Sequence, residues 1–269
     1  MTGLPPSGAW GDLTTQDFEG LDPEAVIALL PVGAMEQHGP HLPLDTDSAI
    51  NRVVVTRTLA KLPDDLSLQV LPPLDVGDSG EHGDFPGTLA LEPETTIALW
   101  SEIGAGVARA GLRKLVLFNS HGGQTQIVDI VAQRLRRDHR MLVVRANSFD
   151  LGLPAGLIDA EERAHGIHGG MIETSMMLAI APQRVRMDKA KDFVPLSRRL
   201  ARDHQLLGTE QPVGFGWQTQ DLNPEGACGD ASKADAETGE RLLEHLAERL
   251  ALLIHELRHT PLSILRDRA

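Results

Sequence analysis

The run PVGAMEQHGPHLPLDTD, residues 31–47, places Glu36, His38 and Asp47 together directly after an apolar stretch. In extended backbone, residues two apart project to the same side, so Glu36 and His38 can reach one site. Gly39 and Pro40 turn the chain, and Asp47 returns at the start of a helix, where one carboxylate oxygen can face each of two ions. His121 follows a second apolar run, LVLFN, and precedes Gly122 and Gly123. In a third place, His168 precedes Gly169 and Gly170, and Glu173 sits in the first turns of the helix that follows. A Glu facing inward among Met and Leu is costly to bury unless it is paired or metal-bound.

Each residue also has a plainer reading. Asp47 suits a helix N-cap, His121 a strand-end residue beside an anion-binding turn, and Glu173 a first-turn acid favoured by the helix dipole. These readings fit the residues singly and leave unexplained why acids and imidazoles gather at strand ends. Taken as a set, Glu36, His38, Asp47, His121 and Glu173 give five ligands. With Asp47 bridging, each of two ions receives three. Imidazole and carboxylate without thiolate suit Zn²⁺, Mn²⁺ or Fe²⁺ and count against Ca²⁺ and Mg²⁺. His41 and His82 read as hydrogen-bonded loop residues. His139, His204, His245, His255 and His259 read as surface residues.

The elements that must position these groups follow from periodicity. Apolar runs predict strands over 25–30, 68–71, 113–119 and 141–146. Helical spacing, with Asp47 placed to cap the first, predicts helices over 48–62, 92–110, 124–139, 171–180 and 234–258. Strands alternating with helices predict a three-layer α/β/α fold around a mainly parallel sheet. In such sheets ligands bind beyond the carboxyl ends of the strands, where Glu36, His38 and His121 fall. Segments 149–170 and 192–231 resist the pattern and suit binding loops or subunit contacts. Arg184, Arg186 and Lys189 read as a solvated helix end, and Trp217 as a packing residue in a loop.

Composition narrows the function class. A net charge of −13 argues against nucleic acid and anionic membranes. The chain lacks Tyr and has 3% aromatics, which disfavours a base-stacking platform. One cysteine, Cys228, precludes an intrachain disulfide and fits a reducing cytoplasm. No signal peptide and no apolar run of about 18 residues, the length a membrane span needs, are visible.

Four runs in order resemble the creatininase, or creatinine amidohydrolase, family: the opening run, SGEHGDFPGT at 79–88, NSHGGQ at 119–124 and HGGMIETSMML at 168–178. The resemblance implies one creatininase-like domain over 1–269, two divalent ions per chain (Zn²⁺ with Zn²⁺, Mn²⁺ or Fe²⁺) and a homo-oligomer, commonly a hexamer. By position, Glu36, Asp47 and His121 would hold one ion, and His38, Asp47 and a further Glu the other. His168 would transfer protons, and Ser79 would contact substrate. Two departures matter. Creatinine-hydrolysing members carry Tyr-Glu where this chain has Gly122 and Gly123, so Glu173 is the candidate to replace the missing ligand. They also carry a Trp just before the His168 position, where this chain has Arg163-Ala-His-Gly-Ile.

The expected reaction is hydrolysis of an amide, cyclic amide or formamide C–N bond in a small molecule other than creatinine, by water activated between two ions. His168 would protonate the leaving nitrogen, while Glu173 would bind metal or assist the water. Gly122 and Gly123 predict a wider floor and a larger substrate. Deformylation of a formamidopyrimidine and trimming of a redox-cofactor precursor peptide remain open within the same chemistry. A metal-dependent isomerase or lyase on a polyol or sugar, with His168 or Glu81 as base, is the alternative from another class. A metal-binding structural subunit is a third.

Overall fold

The computed structural model describes residues 6–210 and 213–266. Its strands are β1 (Gly8–Ala9), β2 (Val26–Val32), β3 (Ser67–Val70), β4 (Lys114–Asn119), β5 (Leu142–Asn147), β6 (Asp192–Phe193) and β7 (Gly229–Asp230). Its helices are α1 (Thr46–Leu59), α2 (Pro93–Arg109), α3 (Thr125–His139), α4 (Ala160–His165), α5 (Met171–Ile180), α6 (Leu196–Asp203), α7 (Thr219–Leu222) and α8 (Ala236–His259). Strands β1–β3–β2–β4–β5 form a parallel sheet in that order. The four strands and five helices expected from periodicity are all present, with ends shifted by up to three residues.

Alternation along the strands builds the three layers. Ile27 and Leu29 of β2 and Val116 and Phe118 of β4 pack with α1, α5 and α8. Val26, Ala28 and Leu30, with Leu115 and Leu117, pack against Trp100 of α2 and Val128, Val131 and Leu135 of α3. Strand β2 is therefore apolar on both faces and wholly buried, as a central parallel strand must be. At the opposite end from the site, the buried Lys114 Nζ donates to the carbonyls of Glu24 (2.9 Å) and Arg258 (3.2 Å). That contact ties the base of the sheet to the end of α8.

Three features depart from the sequence reading. Strand β1 is two residues long and pairs with β3, too short to show periodicity. The segments that resisted assignment contain α4, α6, α7 and the small antiparallel pair β6–β7. Helix α1 starts at Thr46 with Asp45 at the cap position. Asp45 instead meets Arg184 Nη2 at 2.5 Å, and Arg184, though paired, stays exposed with Arg186 and Lys189. Asp47 is thus not the cap; it lies in the first turn and is 2% exposed.

Candidate metal centre

Register brings the site together. Strands β2 and β4 end level, Val32 opposite Asn119, so the loops carrying Glu36 and His121 leave the sheet side by side. Asn119 fixes the second loop: its side chain accepts from His121 N (3.0 Å) and donates to His121 O (2.7 Å). Asn51 of α1 donates to the carbonyls of Val32 and Phe118, which anchors the helix to both strand ends. Ser120 Oγ donates to Asp47 O at 3.0 Å and holds the first turn in place.

The side chains converge about Asp47. Its Oδ1 lies 3.5 Å from His38 Nε2, and its Oδ2 lies 3.5 Å from His121 Nδ1. Glu36 Oε2 is 3.1 Å from His121 Nδ1, and Glu173 Oε2 is 3.9 Å from His38 Nε2. Donor atoms of Glu36, Asp47 and His121 cluster within 4.8 Å of one another, as do those of His38, Asp47 and Glu173. A third such group is Glu36, His38 and His168. Outer contacts orient the rings, as they do in metal centres. His38 Nδ1 contacts Glu36 O (3.1 Å), and His121 Nε2 contacts Asp78 O (2.9 Å). The first ring therefore presents Nε2 and the second Nδ1.

Glu36 Oε1 and Oε2, His38 Nε2 and Asp47 Oδ2 are buried without a hydrogen-bond partner in the protein. Buried charged atoms left this way are costly, and divalent cations bound between them would satisfy them. The donor set fits Zn²⁺, Mn²⁺ or Fe²⁺.

Without ions, the charges of the site compete. Burial pushes the Glu36 carboxyl up, but the imidazoles of His121 and His82 outweigh it and hold it well below the usual range. Burial and the neighbouring Glu36 push Asp47 up, and burial takes Glu173 up to about 7. Burial opposes charge on His38, yet Asp47, Glu173 and Glu36 raise it to about 10. Burial likewise opposes charge on His121, which Glu36 above all raises well above its ordinary value. His168 goes the other way: burial and the charge of His38 hold it well below.

His168 Nε2 donates to Gln37 O at 2.7 Å, which leaves Nδ1 free, 3.7 Å from Glu36 Oε1. Three further residues that sequence reasoning missed or underrated join the site or support it. His82 is 3% exposed, and its Nε2 lies 3.4 Å from Glu36 Oε1. Its Nδ1 accepts from Gln37 Nε2 at 2.7 Å. Gln37 also donates to Gly226 O and so clamps three loops. Position next to Glu36 and His38 was the available signal for Gln37; His82 carried none beyond its neighbour Glu81. Glu162, 2% exposed, supports the centre from behind. It accepts from Met171 N at the start of α5 (2.6 Å) and from Asp230 N (2.8 Å). His41 is a buried, hydrogen-bonded loop residue, with Nε2 2.9 Å from Thr174 Oγ1. His139 and His245 are half-buried rather than on the surface.

The glycine pair differs from the expected wide floor. A Cβ on Gly122 would meet nothing within 4 Å, but one on Gly123 would fall 1.7 Å from Glu81 Oε1 and 2.7 Å from His121 Nε2. Glu81 therefore fills the room at position 123, and the floor is open only at 122. Ser79 is fully buried behind His121, with Oγ 3.5 Å from Nε2. Trp217 packs with its indole N–H donating to Thr209 O at 3.0 Å.

Residues 11–254 match the family described as Creatininase: Creatinine amidohydrolase. The chain is similar to a mycofactocin precursor peptide peptidase of Mycolicibacterium smegmatis, 32% identical over 251 residues, which span 91% of this chain and 90% of that one. It is 28% identical over 267 residues to the creatinine amidohydrolase of Pseudomonas putida, covering 91% and 95%. Among solved structures, a mutant creatininase of Zn-Zn type superposes with a TM-score of 0.75 at 27% identity, covering 93% of this chain and 98% of that one.

Proposed function

The chain belongs to the creatininase family, and from that premise we propose that this hydrolase splits an amide C–N bond at a two-ion centre, in a substrate larger than creatinine. The observation that carries this reading is the set of buried, partnerless ligand atoms on Glu36, His38 and Asp47. Glu36, Asp47 and His121 would hold one ion, and His38, Asp47 and Glu173 the other: Zn²⁺ with Zn²⁺, Mn²⁺ or Fe²⁺. When bound, such ions polarise a carbonyl and bring water near deprotonation at neutral pH.

The side chains supply the rest. His168, held by Gln37 O, keeps Nδ1 free towards the centre. It takes the proton of the attacking water and returns it to the leaving nitrogen. Glu173 is held by Gly169 N at 2.5 Å, which aims the carboxylate at His38 rather than at solvent. Glu81, Gly122 and Gly123 line the side from which substrate approaches, with Ser79 behind His121.

Two observations favour a second reading, trimming of a short peptide. Identity to the mycofactocin precursor peptide peptidase, at 32%, exceeds that to the creatinine amidohydrolase, at 28%. Space is open at Gly122. Hydrolysis of a non-peptide small molecule remains the first reading, with short peptides in the same screen. The proposal includes one working unit over 1–269, a homohexamer and a cytoplasmic setting. It rests on the family resemblance and on a buried lone Cys228. Among the described residues no helix is long and apolar enough to cross a membrane.

Elemental analysis of protein purified without added metal, beside Glu36→Gln and Glu173→Gln, is the first test. About two ions per chain, with at least one lost in each variant, are expected for a centre sharing a bridging carboxylate. The loaded protein is then screened against creatinine, formamides, cyclic amides and short peptides by mass. Hydrolysis adds the elements of water, whereas isomerisation conserves mass. Protein that neither holds nor takes up a divalent ion would end this reading.

A further inference from the structure

Residues 255–259 read HELRH, the spacing in which two histidines one helical turn apart hold zinc and the intervening Glu acts as base. A protease centre of that kind needs a third ligand and a cleft. Neither His255 nor His259 belongs to any group of three ligating residues among the described ones, and both are exposed on α8, as is Glu256. The motif therefore does not build a catalytic zinc site. What it does build is a pair of adjacent, exposed imidazoles.

The two rings lie with centroids 4.7 Å apart and planes tilted by 58°. An ion held at about 2.1 Å by one nitrogen of each ring would lie about 3.2 Å from each centroid, and rings at this separation would then subtend roughly 95° at it. That is the cis angle of square-planar or octahedral coordination, narrower than a tetrahedral one, and it favours Cu²⁺ and Ni²⁺. The pair spans the C-terminal end of α8, with His259 in its last turn, where the negative end of the helix dipole favours cations. Asp65 adds negative charge close to His255, although its carboxylate is tied to Arg258 Nη2 at 2.9 Å.

We propose that His255 and His259 form a surface chelate for one divalent first-row cation, favouring Cu²⁺ over Ni²⁺ over Zn²⁺. It lies at the end of the sheet opposite the candidate metal centre. Water completes its coordination. It adds an ion to any whole-chain metal count made in the presence of copper or nickel.

The test is a Ni²⁺ titration of untagged protein loaded with two Zn²⁺ per chain and freed of excess zinc, followed by calorimetry with released zinc monitored. One additional Ni²⁺ per chain without zinc release is expected. His255→Ala and His259→Ala should each weaken it roughly a hundredfold, because the tethered second donor is lost. His204→Ala, which removes an unrelated exposed imidazole, should bind as wild type does. Uptake matched by zinc release, retention in both single variants, or no additional ion would each overturn the proposal. All three variants change exposed side chains, so melting temperature and metal content of the central site should stay at wild-type values.

Discussion

Replacing Gly123 by Ala tests how tightly the centre is built. The added methyl would sit 1.7 Å from Glu81 Oε1 and 2.7 Å from His121 Nε2. The two neighbours can respond differently. The Glu81 side chain is long and 16% exposed, so it can swing away. The His121 ring cannot: Nε2 is held by Asp78 O at 2.9 Å, and the backbone on both sides is held by Asn119. The ring must therefore shift by several tenths of an ångström, and its Nδ1 leaves the position beside Glu36 and Asp47. Overpacking of this kind costs about 1–3 kcal/mol of stability, and disturbing the orientation of a ligand typically costs roughly 10–100-fold in metal affinity. Elemental analysis, metal titration and thermal melting of Gly123→Ala read both effects. Gly122→Ala is the matched control, because nothing lies within 4 Å of its added carbon, and it should bind metal normally. Gly123→Ala with wild-type metal affinity would refute the reasoning. Restoration by a second change, Glu81→Ala, would show that the carboxylate, not the ring, was the obstacle.

Four other outcomes follow from the same geometry. Asp47→Asn should weaken both ions, because its two oxygens face different histidines, whereas Glu173→Gln should weaken one; stoichiometry by elemental analysis separates them. His168→Ala should keep its metal and lose about 10²–10⁴-fold in kcat, the usual worth of a positioned proton-transfer group; a variant with normal turnover would remove His168 from the mechanism. In the ion-free protein His38 stays protonated up to about pH 10 and His121 is raised in the same direction, so an incoming ion must displace protons. Metal affinity should then rise with pH across the neutral range, and calorimetry in buffers of different ionisation enthalpy should record proton release. Affinity independent of pH would contradict the protonation assigned. Burial pushes the Cys228 thiol up to about 12, so alkylating reagents at pH 8 should label the native protein far more slowly than the unfolded chain.

The sequence was most legible where local spacing and burial coincide. The runs ending at Val32 and Asn119 are continuous apolar segments, and only a central parallel strand makes that pattern natural. Once those strands were placed, Glu36, His38 and His121 had to emerge at one edge. Asp47 reads correctly as a helix-start residue, but Asp45 holds the cap position, with its side chain on Arg184 rather than on the helix, because a first-turn acid and a cap-position acid look alike until the partner of each is known. His82 was read as an ordinary loop residue, since its contacts lie far along the chain, 45 positions away at Gln37 and 137 away at Thr219. Glu162 gave no signal for the same reason: one of its two backbone partners is 68 residues distant. Gly123 reads as open space because a sequence does not reveal which neighbour will fill it.

Helix α5 carries Glu173 and lies against α8 with almost nothing between the two backbones. A Cβ added to Gly239 would fall 1.8 Å from Ser175 O, two residues beyond Glu173. For a lineage exploring new substrates, this contact closes one route. Position 239 admits no side chain, so substitution there is closed as a way of re-angling α5 and changing the reach of Glu173. Diversity has to accumulate elsewhere: at residue 122, where added atoms meet nothing, and in the irregular stretch around Leu206 and Phe215, whose side chains are exposed. Descendants of such a protein would differ in what they admit to the centre well before they differed in the centre itself.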